Sequence, residues 1–163
     1  MAIRVADLPL YVDPLVGSER VLFESAAGTG LVAYPRLWKP ATRQAVILST
    51  VVLAFGAAES GLVVLSPVFE VLQVSLSVAA RLRLYSSVAA RTADAARSAT
   101  TRAQAGSGLI LEVKSGGALS QPCDPHAHGA NFESVVSSNI PYVIQNLADS
   151  GSVTVIFTFI DRS

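Results

Sequence analysis

From residue 44 onward the chain alternates apolar and polar residues with a period of two. Leu72, Val74, Leu76 and Val78 alternate with Val71, Gln73, Ser75 and Ser77, and the register runs on through Leu82 and Leu84 against Arg81, Arg83 and Tyr85. Successive side chains of a strand point to opposite faces, so this pattern predicts one long strand with a buried face and a wetter face carrying Arg81 and Arg83. Residues 44–55 are rich in Val, Ile and Leu, and residues 61–65 repeat that character after a turn at 56–59. Leu109, Leu111 and Val113 alternate with Ile110, Glu112 and Lys114 ahead of the turn Ser115-Gly116-Gly117. Residues 142–145 and 153–160 add two more strands, and in the last Val155, Phe157 and Phe159 share one face. Only residues 88–99 read as helix, because their alanines favour it, with Asp94 three residues from both Arg91 and Arg97 for pairing on one face. Strand runs broken by turns and one helical excursion predict an all-β chain, a β-sandwich of jelly-roll-like form with one short helix.

The first forty residues have a different character. Pro9, Pro14, Pro35 and Pro40 lie here, with the single Trp38, and proline removes a backbone donor and fixes φ. The stretch therefore reads as an extended arm. Residues 18–24 and 31–34, separated by a turn ending in Gly28-Thr29-Gly30, predict a short hairpin within it. An isolated hairpin is marginal in water, so this one needs a surface to dock on. The expected organisation is an arm at 1–40 and a β-sandwich domain at 41–163.

Charge narrows the function. The 163 residues carry 12 Lys plus Arg against 12 Asp plus Glu, and charged residues make up 15% where about 25% is usual. A chain that is 51% hydrophobic is not disordered, and zero net charge disfavours a generally basic nucleic-acid binder. So few charges give little repulsion between copies, which predicts a surface largely covered by other subunits. The longest greasy stretch, residues 44–58, is closed by Arg43 and Glu59, short of the about 20 residues a membrane helix needs. Residues 1–7 lack a basic head followed by an apolar run, so no secretory signal is expected and the chain is read as made in a cytoplasm.

The densest reactive cluster is Pro122-Cys123-Asp124-Pro125-His126-Ala127-His128, which holds both histidines and the only cysteine. Imidazole and thiolate suit zinc or copper. No further His or Cys completes the set, and the proline-bounded stretch reads as a polar connection between strands. Cys123, His126 and His128 are therefore the metal candidates, with no metal and no cofactor as the expectation. A thiol nucleophile at Cys123 is disfavoured because neighbours in a loop rarely hold nucleophile, base and orienter in line. Arg81, Arg83, Arg91, Arg97 and Arg102 form a local positive excess, with Asp94 the acid among them. No aromatic set stands beside them to stack bases, since Phe55, Phe69, Phe157 and Phe159 fall in strand patterns and read as core, so no nucleic-acid partner is expected. Gly106-Ser107-Gly108 lacks the strand–turn–helix context and lysine of a phosphate loop. Neither G-x-S-x-G nor H-E-x-x-H occurs, and the chain is read as a non-enzyme.

Two stretches carry a resemblance. Val5-Ala6-Asp7-Leu8-Pro9, then Leu15-Val16-Gly17-Ser18-Glu19-Arg20-Val21-Leu22-Phe23-Glu24, a Gly-containing turn and residues 31–37 resemble the opening segment of bacteriophage tail-fibre and virion-appendage proteins. The usual Gln-Gly of that hairpin is replaced here by Glu24-Ser25-Ala26-Ala27-Gly28. Ala80-Arg81-Leu82-Arg83-Leu84-Tyr85, the 90–97 segment and Gly106-Ser107-Gly108-Leu109-Ile110-Leu111-Glu112 are similar to a small β-sandwich module of phage and prophage structural proteins. The resemblance implies a structural virion protein, assembled in the host cytoplasm, that docks on other virion proteins through its arm. Leu8, Pro9, Leu15, Val21, Phe23 and Trp38 are the expected partner-binding residues. A tail-fibre, baseplate or neck component is the first expectation and a capsid cement protein the alternative. A receptor- or carbohydrate-binding module, with Trp38 and Tyr142 as its aromatics, is a further one. A homotrimer or higher oligomer is expected.

Overall fold

The computed structural model describes residues 42–163 throughout and residues 20–25 and 28–33 by their backbone. The chain divides into two units, Met1–Pro40 and Ala41–Ser163. In the first, β1 (Arg20–Ser25) and β2 (Gly28–Ala33) form an antiparallel hairpin.

The second unit holds eight strands and one helix: β3 (Arg43–Ser49), β4 (Ala58–Val64), β5 (Val68–Leu76), β6 (Ala80–Tyr85), α1 (Val88–Ala93), β7 (Leu109–Ser115), β8 (Leu119–Ala130), β9 (Asn139–Asn146) and β10 (Thr154–Asp161). They form two antiparallel sheets, β3-β10-β5-β8 and β4-β9-β6-β7. The pairings are nested: β3 with β10, β4 with β9, β5 with β8 and β6 with β7. A long two-ply ribbon thus wraps on itself, and that is the jelly-roll order of a β-sandwich. The core lies between the sheets, with Phe69, Val71, Val74, Val155, Phe157 and Phe159 facing Val63, Leu82, Leu84, Ile140 and Ile144. At one end the connections 50–57 and 147–153 are tied together: Leu53 and Gly151 exchange backbone hydrogen bonds, and Asn146 Nδ2, fully buried, donates to the carbonyls of Leu53 and Asp149.

Several expectations from the sequence are corrected here. The predicted long strand is two strands in different sheets, β5 and β6, because residues 77–79 turn the chain across the sandwich. Within β5 a register shift at Leu72 puts Val71 and Val74 both in the cluster between the sheets and leaves Leu72, still buried, outside that cluster. An extra residue in one strand of a pair moves every later side chain to the other face. The helix is shorter than residues 88–99, ending at Ala93, with Ser87 Oγ accepting from Ala90 N as its N-cap. The 122–128 stretch is no loop: it lies inside β8, with Pro122 and Ala127 pairing with β5 on either side of that same irregularity. Phe55, expected in the core, lies in the 50–57 connection and is 73% exposed.

Candidate interaction surface

The two outer faces of the sandwich differ. On β6 the residues between core positions are Arg81, Arg83 and Tyr85, and all are buried, Arg81 at 1% exposure. The expectation that Arg81 and Arg83 lie on a wet face is corrected: the 86–108 connection folds back over them. Arg81 Nε donates to Glu112 Oε1 at 2.6 Å, and its two terminal nitrogens donate to the carbonyls of Arg97 and Ser98. Arg83 Nη1 donates to Asp94 Oδ2 at 3.2 Å, and the Tyr85 hydroxyl to the same oxygen at 2.6 Å. Arg97 bridges both acids, from Nε to Asp94 Oδ1 at 2.7 Å and from Nη2 to Glu112 Oε2 at 2.8 Å. Three guanidiniums therefore share two carboxylates. Burial opposes the charge on Asp94, but hydrogen bonds from Arg97 and Tyr85 outweigh it and hold the carboxyl below its ordinary range. Glu112 behaves alike, with burial overcome by Arg97 and Arg81. Arg91 does not pair with Asp94 as its spacing suggested; it donates to the Gly61 carbonyl of β4 at 2.7 Å. These arginines are spent on clamping a connection to a sheet.

The candidate metal ligands are split. Cys123 packs against the core, where burial pushes its thiol up. His126 is on the other side of β8, with Nδ1 at 2.5 Å from Glu70 Oε1. Glu70 also accepts from Arg162 Nε at 2.9 Å, and hydrogen bonds from Arg162 and then His126 keep its carboxyl below the usual range against the effect of burial. Among the described residues, no group of three His, Cys, Asp or Glu is placed to hold a metal ion. Tyr142, a carbohydrate-facing candidate in the sequence, is buried over Gly61. Its hydroxyl donates to Glu59, and burial with that bond pushes its pKa up to about 12. Leu8, Pro9, Leu15 and Trp38 lie outside the described residues, as do the side chains of Val21 and Phe23.

Among the described residues no element covers the outer face of β3-β10-β5-β8, and its central rows carry no charge. Ile47 on β3 stands beside Ile156 on β10, with Ser75 and Ser120 continuing the row across β5 and β8. The row on one side is Ala45, Thr158, Gln73 and Pro122, and on the other Ser49 and Thr154 join their hydroxyls at 3.0 Å. Charge gathers at one end of the face, with Arg43, Glu70, His126 and Arg162. The serine, threonine and glutamine groups bond one another, as Gln73 Nε2 does to Ser120 Oγ at 2.8 Å. Desolvating them against a partner therefore leaves few polar groups unpaired. Exposed apolar residues also stand in the connections: Val51, Val52 and Phe55 in that between β3 and β4, and Phe132, Val135 and Val136 in that between β8 and β9. The missed signal was the run of small uncharged residues at alternate positions of β3, β5 and β10, legible only once their pairing is known. No protein-family model matches the chain, and comparison with curated proteins finds no match.

Proposed function

We propose that the chain is a structural subunit of a bacteriophage particle, a tail-fibre, baseplate or neck component that attaches through its N-terminal arm and associates through its jelly roll. The observation that carries this reading is the asymmetry of the sandwich. One outer face is closed by a buried arginine clamp, and the other is left uncharged across three cross-strand rows. A face of Ile, Ala, Ser and Thr gains on association from apolar burial and adds no desolvated charge. The resemblance of residues 5–37 and 80–112 to phage structural segments supplies the particle, and the zero net charge of the chain suits a part that works assembled.

The test mixes purified protein with particles lacking it and locates it by immunogold electron microscopy. Label on the tail or neck, lost when residues 1–40 are deleted, is the expected result. Label distributed over the shell would move the protein to a cement role, and binding to immobilised glycans that survives the deletion would favour a receptor module.

A further inference from the structure

The four edge strands of the sandwich are not equally protected. An unpaired edge offers a row of free N–H and C=O groups, and proteins blunt it with proline, charge, glycine or bulges. β8 carries Pro122 and Pro125 and a broken register. β7 carries Glu112 and Lys114 and a register shift against β6, and β4 carries Glu59 and Gly61. β3 has none of these beyond Arg43 at its start: Gln44-Ala45-Val46-Ile47-Leu48-Ser49 pairs with β10 in unbroken register.

The direction of its free groups follows from one bond. Thr50 N donates to Val153 O at 3.0 Å, in the same register as the β3–β10 ladder, and backbone groups of an antiparallel strand face its two sides at alternate residues. Val46 and Leu48 therefore bond to β10, while the N–H and C=O of Ala45, Ile47 and Ser49 aim at the side where no described strand pairs with β3. We infer that β3 is the site where a second copy of this chain adds its own β3, antiparallel across a two-fold axis through Ile47, so that the two sheets join into one of eight strands.

Self-complementarity selects the second copy as occupant. Centred on Ile47, the pairing sets Ile47 against Ile47 on the outer face, beside Ile156 of each copy. It sets Val46 against Leu48 on the core side and Ala45 against Ser49. No charge meets a charge: the first charged residue, Arg43, falls opposite the exposed Val51. A register centred on Val46 would set Gln44 against Leu48 instead, so the axis at Ile47 is the better match. An isologous contact of this kind yields a dimer, or larger assemblies in multiples of two. The inference rests on reading the chain as a self-associating part, and it is tested on purified chain where particle attachment plays no role.

The experiment is sedimentation equilibrium on the full chain with amide hydrogen exchange. The expected result is a dimer, or an even multiple of it, in which the amides of Ala45, Ile47 and Ser49 exchange as slowly as those of Val46 and Leu48. Ile47→Lys sets two like charges opposite each other at an exposed position and should weaken association by roughly ten-fold or more, leaving the circular dichroism unchanged. In that variant the Ala45 and Ser49 amides become fast while those of Val46 and Leu48 stay slow. Ala45→Pro, which removes an edge-facing donor, should act in the same direction, and Gln104→Ser, at an exposed position of the 86–108 connection, should have no effect. A monomer at micromolar concentration, a trimer as the smallest species, or an oligomer that survives both β3 variants would overturn the inference. So would slow exchange of all five amides in a monomer.

Discussion

Gly129 lies directly under the ring of Phe69: a Cβ placed on it would stand 2.4 Å from Phe69 Cζ and 2.9 Å from Ile110 Cγ2. Phe69 is fully buried between the sheets, so its ring cannot swing away without opening the core. Gly129→Ala should therefore destabilise the fold by about 1–3 kcal/mol through overpacking. Urea unfolding followed by tyrosine fluorescence measures this, and an unchanged midpoint would mean that the ring is not held against β8.

The clamp under residues 86–108 makes a second prediction. Asp94 serves Arg83, Arg97 and Tyr85 at once, and removing one partner of a buried charge network leaves the others unpaired. Asp94→Ala should cost about 3–5 kcal/mol and speed hydrogen exchange through 88–101. Loss of stability without faster exchange in that segment would count against the clamp.

Acid should act through the same carboxylates. Asp94, Glu112 and Glu70 are all held below their ordinary range, so the folded state binds fewer protons than the unfolded chain. Their contribution is fully present above the unfolded values of about 4 and is lost as pH falls through the lower folded ones. The urea midpoint should be flat from about pH 7 to 5 and drop below about pH 4, with a shallower drop in Asp94→Asn. A midpoint that rises on acidification would contradict the assignment.

Asn146 is a fourth test. Its amide nitrogen donates to Leu53 O and Asp149 O, both at 2.9 Å, and its Oδ1 accepts from Ala148 N at 2.9 Å. Asn146→Ala leaves those groups unsatisfied at a buried site and should cost about 1–3 kcal/mol. Amide exchange at Leu53 and Gly151 would show whether the loss frees this end of the sandwich, and a variant as stable as the parent would remove Asn146 from that role.

Strand content was legible because alternation is local: a period of two follows from backbone geometry alone, and turns at Gly56, Gly116 and Ser150 mark its limits. Legibility failed where a distant partner decided the outcome. Residues 71–85 read as one strand because the turn at 77–79 keeps the alternation running while the chain changes sheet. Cys123, His126 and His128 looked like one cluster, but β8 sends the thiol inward and leaves His126 outside against Glu70.

The sequence by itself determined that this chain is mostly strand, neutral and rich in apolar residues, since these are properties of neighbouring residues and of sums over the chain. Only the tertiary structure decided which face each residue occupies and what covers it. Arg81 and Ile47 show the physical reason. A charged residue is expected outside and an isoleucine inside, yet Arg81 is buried because Glu112 of the neighbouring β7 and the Arg97 and Ser98 carbonyls of the 86–108 connection accept from its three nitrogens. Ile47 is 69% exposed because the pleat of β3 spends Val46 and Leu48 on the core and leaves it facing out beside an open edge.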